Sequence, residues 1–209
     1  MEIVIKNNTF ILHCSGAMFW KEKNILLISD VHLGKIAHFR KHGFAIPETA
    51  IHENFKRMDE ILELFKPEKI IFLGDLFHSK KNNEWKYFVD WVKKTPQEII
   101  LVEGNHDIID KNNYSYLGII IHPKMIIGEF LLTHHPIKTE TFFNFCGHIH
   151  PGIKLKDVGR MPMKLSCFFQ KENQLILPAF GEFTGNYFME PEENDCVYAI
   201  ANTDVIRVF

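Results

Sequence analysis

Short apolar runs broken by polar or glycine-rich turns recur along the chain: Asn24 to Ser29, Lys69 to Leu73, Glu98 to Val102, Phe130 to Thr133 and Phe142 to Phe145. Runs of this length, bounded by turn formers, predict buried β-strands. Between the first two, Ile51, Phe55, Met58, Leu62 and Phe65 recur at steps of three or four residues, while Glu48, Glu53, Lys56, Asp59, Glu60 and Glu63 fall mostly on other faces. Pro47 to Phe65 therefore predicts an amphipathic helix with proline near its first turn. A second helical stretch has Trp85, Phe88, Val89 and Val92 on one side and Lys86, Asp90, Lys93 and Lys94 elsewhere, and Pro96 closes it.

Strand and helix thus alternate over the first two-thirds, which predicts a largely parallel sheet whose strand C-termini carry function. After Gly118 the pattern changes. Ile119 to His122, Met125 to Ile127, Phe130 to Thr133, Lys164 to Gln170, Gln174 to Leu177, Cys196 to Ala201 and Val205 to Phe209 read as short strands with tight turns, so this half is expected to be antiparallel. The fold class that buries both halves is α/β: two mixed β-sheets packed as a sandwich with helices on the outer faces. No internal repeat, low-complexity tract or composition shift divides the chain, so residues 1–209 are expected to form a single domain.

At 209 residues, 46% hydrophobic and 24% charged, the composition excludes disorder, collagen and a bare coiled coil. Lys and Arg total 24 against 26 Asp and Glu, a formal net charge of −2, so no global basic field recruits a polyanion and any contact with one is local. The four cysteines, Cys14, Cys146, Cys167 and Cys196, stand far apart without a C-x-x-C pair, which suits a reducing cytoplasm. The start lacks a signal-peptide pattern, and no apolar run reaches the roughly 18 residues that span a bilayer, so no membrane partner is expected. What composition leaves unexplained is twelve histidines.

Seven of those histidines gather at predicted strand ends. The three strands of the alternating half end in Ser29-Asp30-Val31-His32, Gly74-Asp75-Leu76-Phe77-His78 and Gly104-Asn105-His106-Asp107; the later half supplies Thr133-His134-His135-Pro136 and Cys146-Gly147-His148-Ile149-His150. Taken singly, each has an ordinary explanation: a turn residue beside a surface histidine, an N-cap at Asp75, a left-handed turn at Asn105. Five such coincidences in one chain order point instead to chemistry. Carboxylate, amide and imidazole ligands together suit a pair of divalent ions about 3.5–4 Å apart bridged by one carboxylate. Asp75 is the bridging candidate, because it lies between the outer clusters in chain order and Gly74 lets the backbone approach closely.

The order Asp-x-His, Gly-Asp, Gly-Asn-His-Asp, His and Gly-His-x-His, from Asp30 to His150, resembles the calcineurin-like metallophosphoesterase superfamily. The resemblance implies its four-layer fold and two divalent ions, Mn²⁺ first with Fe²⁺ or Zn²⁺ as alternatives. One ion would be held by Asp30, His32, Asp75 and His150, the other by Asp75, Asn105, His134 and His148. It further implies that His106 is the general acid and that Asp107 orients it. Gly-Asp-Leu-Phe-His is similar to the superfamily's DNA-nuclease branch, where the position of His78 contacts substrate phosphate. Asp30-Val31-His32-Leu33-Gly34-Lys35, Phe39-Arg40 with Gly43 and Pro47, and Leu177-Pro178-Ala179-Phe180-Gly181 with Phe183-Thr184-Gly185 resemble the ligase-associated DNA damage response endonuclease PdeM group. That likeness implies a DNA endonuclease or exonuclease in repair, with a neighbouring ATP-dependent DNA ligase and a helicase-like protein as partners.

Lys35 and Arg40 follow the first ligand pair and are the candidates for substrate binding, Arg40 in particular because its guanidinium forks onto phosphate. Lys80 and Lys81 are read as a solvated loop, and Phe39 and Phe143 are candidates for base stacking. His135 is given a structural role, because strand alternation turns it away from His134. His38 and His42 flank Arg40 and are further groove candidates. Only 209 − 150 = 59 residues follow His150, little room for a cap, so the site is expected to be an open groove suited to single-stranded DNA, ends or small diesters. A small-molecule phosphodiesterase for a cyclic nucleotide or nucleoside pyrophosphate, and a catalytically silent scaffold, remain the alternatives.

Overall fold

A computed structural model describes residues 1–209 apart from 42, 44, 46, 48 and 156–161, and apart from the side chains of His38 and Lys41. The expectation for His42, and for the His38 side chain, therefore lies outside the described residues.

β1 (Glu2–Ile5), β2 (Asn8–Leu12) and β3 (Met18–Trp20) form an antiparallel meander that leads into β4 (Ile25–Ile28). Helices α1 (Lys35–Lys41) and α2 (Ala50–Phe65) follow, then β5 (Lys69–Leu73), α3 (Glu84–Lys94), β6 (Glu98–Val102), α4 (Lys111–Ser115) and β7 (Ile120–His122). The first sheet runs in the order β1 to β7, its last four strands parallel. The remaining strands are β8 (Met125–Ile127), β9 (Phe130–Leu132), β10 (Phe143–Cys146), β11 (Pro151–Leu155), β12 (Met163–Lys171), β13 (Gln174–Ile176), β14 (Tyr187–Phe188), β15 (Cys196–Ala201) and β16 (Asp204–Arg207). They form a second sheet ordered β14-β11-β12-β13-β10-β9-β8, with β15 beside β12 and β16 beside β15.

Two mixed sheets in an α/β sandwich are what the pattern predicts, with two corrections of direction. β7 pairs parallel with β6, so the parallel segment runs one strand further than expected. In the second sheet β10 is parallel to both β9 and β13. The segment 133–142 returns the chain to the start of the sheet before β10 begins, so β10 re-enters in the same direction as β9.

Period-2 alternation divides the core. Leu26, Ile28, Ile70, Phe72, Ile99 and Leu101 face the helices, where Phe55, Met58, Ile61, Phe88 and Trp91 cover them. Their alternates Ile25, Leu27, Ile71, Leu73, Ile100 and Val102 face the other way and meet Phe130, Phe143, Phe145, Phe168 and Leu175 of the second sheet. Each such side chain contributes about 1.5–3 kcal/mol on burial, and together they lock the two sheets so that their strand ends open on the same place. The buried Phe143 belongs to this inter-sheet core, a correction to its expected stacking role. Among the described residues no helix is long and apolar enough to cross a membrane.

Candidate metal centre

Beyond β4 and β5 the two loops stay zipped together. The Asp30 N–H donates to Gly74 O (3.2 Å), His32 N–H to Asp75 O (2.9 Å), Leu33 N–H to Leu76 O (2.8 Å), and His78 N–H returns to Leu33 O (2.9 Å). This ladder holds Asp30 and His32 beside Asp75. From the other side, Phe180 N–H and Gly181 N–H donate to Ser29 O and Asp30 O, which explains the Leu177-to-Gly181 motif as a strap across the first loop.

The expected ligands converge in two groups that share acids. One nitrogen or oxygen from each of Asp30, His32 and His150 lies within 4.8 Å of the others, and the same holds for Asp30, Asp75 and His134. His150 Nε2 is 3.2 Å from Asp30 Oδ1 and 3.4 Å from His32 Nε2, and His32 Nε2 is 3.7 Å from Asp75 Oδ2. On the other side of the same carboxylate, Asp75 Oδ1 is 3.4 Å from His134 Nε2, which lies 3.0 Å from Asn105 Oδ1 and 3.2 Å from His148 Nδ1. All seven residues are therefore brought together, with the two oxygens of Asp75 facing different groups.

The donor set fits a cation. His134 Nδ1 lies 2.9 Å from Leu73 O and His150 Nδ1 3.2 Å from Gly185 O; a carbonyl only accepts, so both Nδ1 atoms carry protons. Their Nε2 lone pairs then point at oxygens that also only accept. Among the described residues Asp30 Oδ1, fully buried, has no assigned hydrogen-bond donor, while its Oδ2 accepts from Ser29 Oγ (2.5 Å) and His148 N–H (2.9 Å). Lone pairs facing lone pairs in a buried site require positive charge between them. The protonation states agree. Burial pushes His32 down to about 3 despite the neighbouring carboxylates, and burial with His135 and His134 nearby also lowers His148. Burial would raise Asp75, but the His134 imidazole and the His106 N–H pull it to about 2, and Asp30 is held low by His150, His134 and Ser29 against its burial. His134 is raised, with its carboxylate neighbours outweighing burial, the direction expected where a site favours positive charge.

His106 sits at the rim with its Nδ1 3.0 Å from the carbonyl oxygen of His78, and its ring stacks on the His78 ring at 5.2 Å between centroids. The backbone of His78 therefore orients His106. Asp107 does not: its oxygens accept from Phe77 N–H (3.2 Å) and Gly104 N–H (2.9 Å), which corrects the expected role. Burial raises Asp107 to about 6, and its work is to tie the third loop to the second. His135 is also placed differently from expectation. β9 ends at Leu132, so alternation no longer applies, and the exposed His135 ring lies 4.1 Å from that of His148, with one nitrogen in each of His134, His135 and His148 within 4.8 Å of the others.

Lys35, half-buried at the start of α1, lines a small crevice with His32, while Arg40 is exposed five residues along the same helix. Lys81 hydrogen-bonds Asn113 and lies over the Trp85 ring. The sequence reading missed Glu84, a buried carboxylate that accepts from Gly34 N–H (2.7 Å) and Ala37 N–H (2.9 Å) and so fixes the turn behind His32. Arg57 was also missed; it donates to Phe180 O (2.9 Å) and Ser15 O (2.8 Å) and secures the strap. Neither has a sequence signal, since both look like ordinary surface charges at helical spacing.

This fold, with its buried carboxylates and imidazoles converging at strand ends, defines a metal-dependent phosphoesterase. The chain belongs to the calcineurin-like phosphoesterase family, whose profile matches residues 23–171. Over its whole length it is similar to the solved Pseudomonas putida nuclease MPE, with 27% identity, a TM-score of 0.80, and coverage of 100% of this chain and 99% of that one. A protein of unknown function from Aquifex aeolicus has 24% identity and a TM-score of 0.44, covering 60% of this chain and 78% of its own. The E. coli phosphoesterase Yfce has 16% identity and a TM-score of 0.48, covering 88% and 97%. No curated protein sequence matches.

Proposed function

We propose that the protein is a phosphodiesterase that uses two divalent ions to cleave nucleic acid, single-stranded DNA foremost. The observation that carries this reading is the Asp75 carboxylate, with one oxygen toward His32 and the other toward His134. Asp30, His32, Asp75 and His150 would hold one ion and Asp75, Asn105, His134 and His148 the other, Mn²⁺ first. Such ions supply activation of water and neutralisation of phosphoryl charge. His106, anchored through Nδ1, would hand a proton from Nε2 to the departing oxygen, a contribution of typically 10²–10⁴-fold. His78, stacked on His106, and Lys35 beside His32 would contact phosphate oxygens, with Arg40 further along the chain. The full-length likeness to a nuclease supports nucleic acid as substrate; DNA as that nucleic acid, and a cytoplasmic role in repair beside an ATP-dependent ligase and a helicase-like protein, complete the reading.

The test is metal stoichiometry by calorimetry together with hydrolysis of single-stranded DNA, duplex DNA and cyclic nucleotides in Mn²⁺. Two ions per chain, preference for single strands and loss of both ions' tight binding in Asp75→Ala are expected. Activity undiminished by Asp75→Ala overturns the mechanism, and preference for cyclic nucleotides overturns the substrate.

A further inference from the structure

The edge of the second sheet carries an arrangement that stability does not explain. Lys154 on β11 and Lys164 on β12 are direct partners in the antiparallel register, so their exposed side chains share one face. Directly opposed like charges destabilise a sheet. Here both ammonium groups rest over one aromatic ring, that of Phe188, at 5.2 and 5.6 Å from its centroid. Among the described residues neither lysine has a carboxylate within ion-pair distance.

The same face continues toward the metal centre. Gly152 and Ser166 form the next pair on it, and a Cβ at Gly152 would press on Phe188 at 3.1 Å, so the surface is kept low there. Ser166 Oγ accepts from Asn186 Nδ2 (2.9 Å), and these two line a polar cleft of about 280 Å³ with Thr184 and with Arg57, which offsets the Glu182 carboxylate 3.8 Å away. Thr184 also lines the crevice that holds His32 and Lys35. A polar track thus runs from the metal cluster past Thr184 and Asn186 to the two lysines. From His150 to Lys154 is four residues of nearly extended chain, about 13 Å, which is about four nucleotides at the ~3.4 Å rise of a stacked strand and about two when the strand is extended.

The geometry points to Lys154 and Lys164 as a remote phosphate-binding pair that holds the backbone of a single-stranded nucleic acid about two to four nucleotides from the scissile bond. The inference rests on the phosphodiesterase reading and extends it: hydroxyl, amide and ammonium donors position a backbone without reading bases, and a phosphate supplies a negative charge that no described residue places beside the lysine pair.

The test is the K154Q/K164Q double variant, with K154E/K164E as a stronger form; both side chains are exposed, and an unchanged melting temperature verifies the fold. Binding of fluorescent single-stranded 16-mers and 3-mers is followed by anisotropy in chelator across a salt series. For the 16-mer, the plot of log K against log salt should become shallower by about 1.4, since two phosphate contacts are lost at about 0.7 each. The 3-mer, and hydrolysis of bis-p-nitrophenyl phosphate in Mn²⁺, should be unchanged. An unaltered 16-mer slope overturns the inference, as does an equal loss for the 3-mer and the small diester, or a loss confined to duplex. If the wild-type protein cleaves no diester, the phosphodiesterase reading fails, while the 16-mer slope still decides whether the lysines bind a strand.

Discussion

Gly104→Ala is the smallest substitution that should disable the centre. Gly104 lies where the third loop crosses the second, and a Cβ built on it would stand 2.3 Å from both the backbone nitrogen and Oδ1 of Asp75, and 3.0 Å from Gly74 C. Ordinary contact begins near 3.4 Å, so something must move by about 3.4 − 2.3 = 1.1 Å. Two of the three atoms are backbone held in the loop ladder, so the strain cannot be relieved by swinging a flexible side chain. Overpacking of this kind costs about 1–3 kcal/mol, and a displacement of ~1 Å at a reacting centre costs on the order of 10²-fold in rate. Metal affinity should fall by roughly 10–100-fold, as when the supports of a ligand are lost. Gly118→Ala is the matched control: it has open space but a left-handed φ of +77°, so it should lose about 1–2 kcal/mol of stability with metal affinity intact. Calorimetry with Mn²⁺, diester hydrolysis and thermal unfolding of both variants separate the two effects. Folded Gly104→Ala protein that binds Mn²⁺ and turns over within twofold of wild type would refute the reasoning.

Three further outcomes follow from the same geometry. His148 has φ +68°, so in chelator His148→Gly should be more stable than His148→Ala by about 1 kcal/mol; urea denaturation giving the reverse order contradicts a strained backbone there. Burial holds Glu84 above its ordinary 4.5, so the folded chain binds more protons than the unfolded one between 4.5 and the raised value, and stability falls as pH rises through that window. Asp107, also raised, adds to this slope, so urea midpoints measured from pH 4.5 upward should fall more steeply in the wild type than in Glu84→Gln; persistence of the full slope in the variant counts against the assignment. Burial pushes the Cys167 thiol up to about 12 and raises Cys146 as well, so a thiol reagent at pH 8 should label only the half-buried Cys14 and Cys196 until denaturant is added, and fast labelling of Cys167 in native protein would show the core to be open.

Most of the sandwich was legible because buried parallel strands write themselves as continuous apolar runs: Lys69–Leu73 and Glu98–Val102 have the expected bounds. The meander β1 to β3 was passed over although Ile3, Ile5, Phe10 and Leu12 alternate about Lys6-Asn7, both left-handed at φ 48° and 59°, which is the mark of a tight hairpin. Directions in the second half were not legible, since a short apolar run has the same composition whether its neighbour runs with it or against it; β10 is the case in point. At the centre, the residues that converge could be named from strand-end position and ligand chemistry. What turns them could not. The carbonyl oxygens of Leu73, His78 and Gly185 orient His134, His106 and His150, and a backbone carbonyl is common to every residue type, so no side-chain pattern announces it.

The backbone at the centre inverts a common expectation about glycine. Asp30, His32, Asp75, His148 and His150 all adopt left-handed φ between 50° and 68°, a conformation that costs a side-chain-bearing residue roughly 1–2 kcal/mol. Glycine would relieve that strain and could not bind a metal. The nearby glycines mostly serve another end. Gly104, Gly147 and Gly181 are not left-handed; at Gly147 a Cβ would collide with Ser29 Oγ and Asp30 Oδ2 (2.3 Å), and at Gly181 with Val31 O (2.3 Å). They clear space so that four loops can close on one point, while the acids and imidazoles take the strained turns that aim them there. Strain of this kind persists only where surrounding structure over-determines it. Here the Asp30-to-Leu33 ladder, the Phe180-Gly181 strap and the Glu84 and Arg57 clamps do so, which is why residues distant from any reacting atom bear on how well the centre forms.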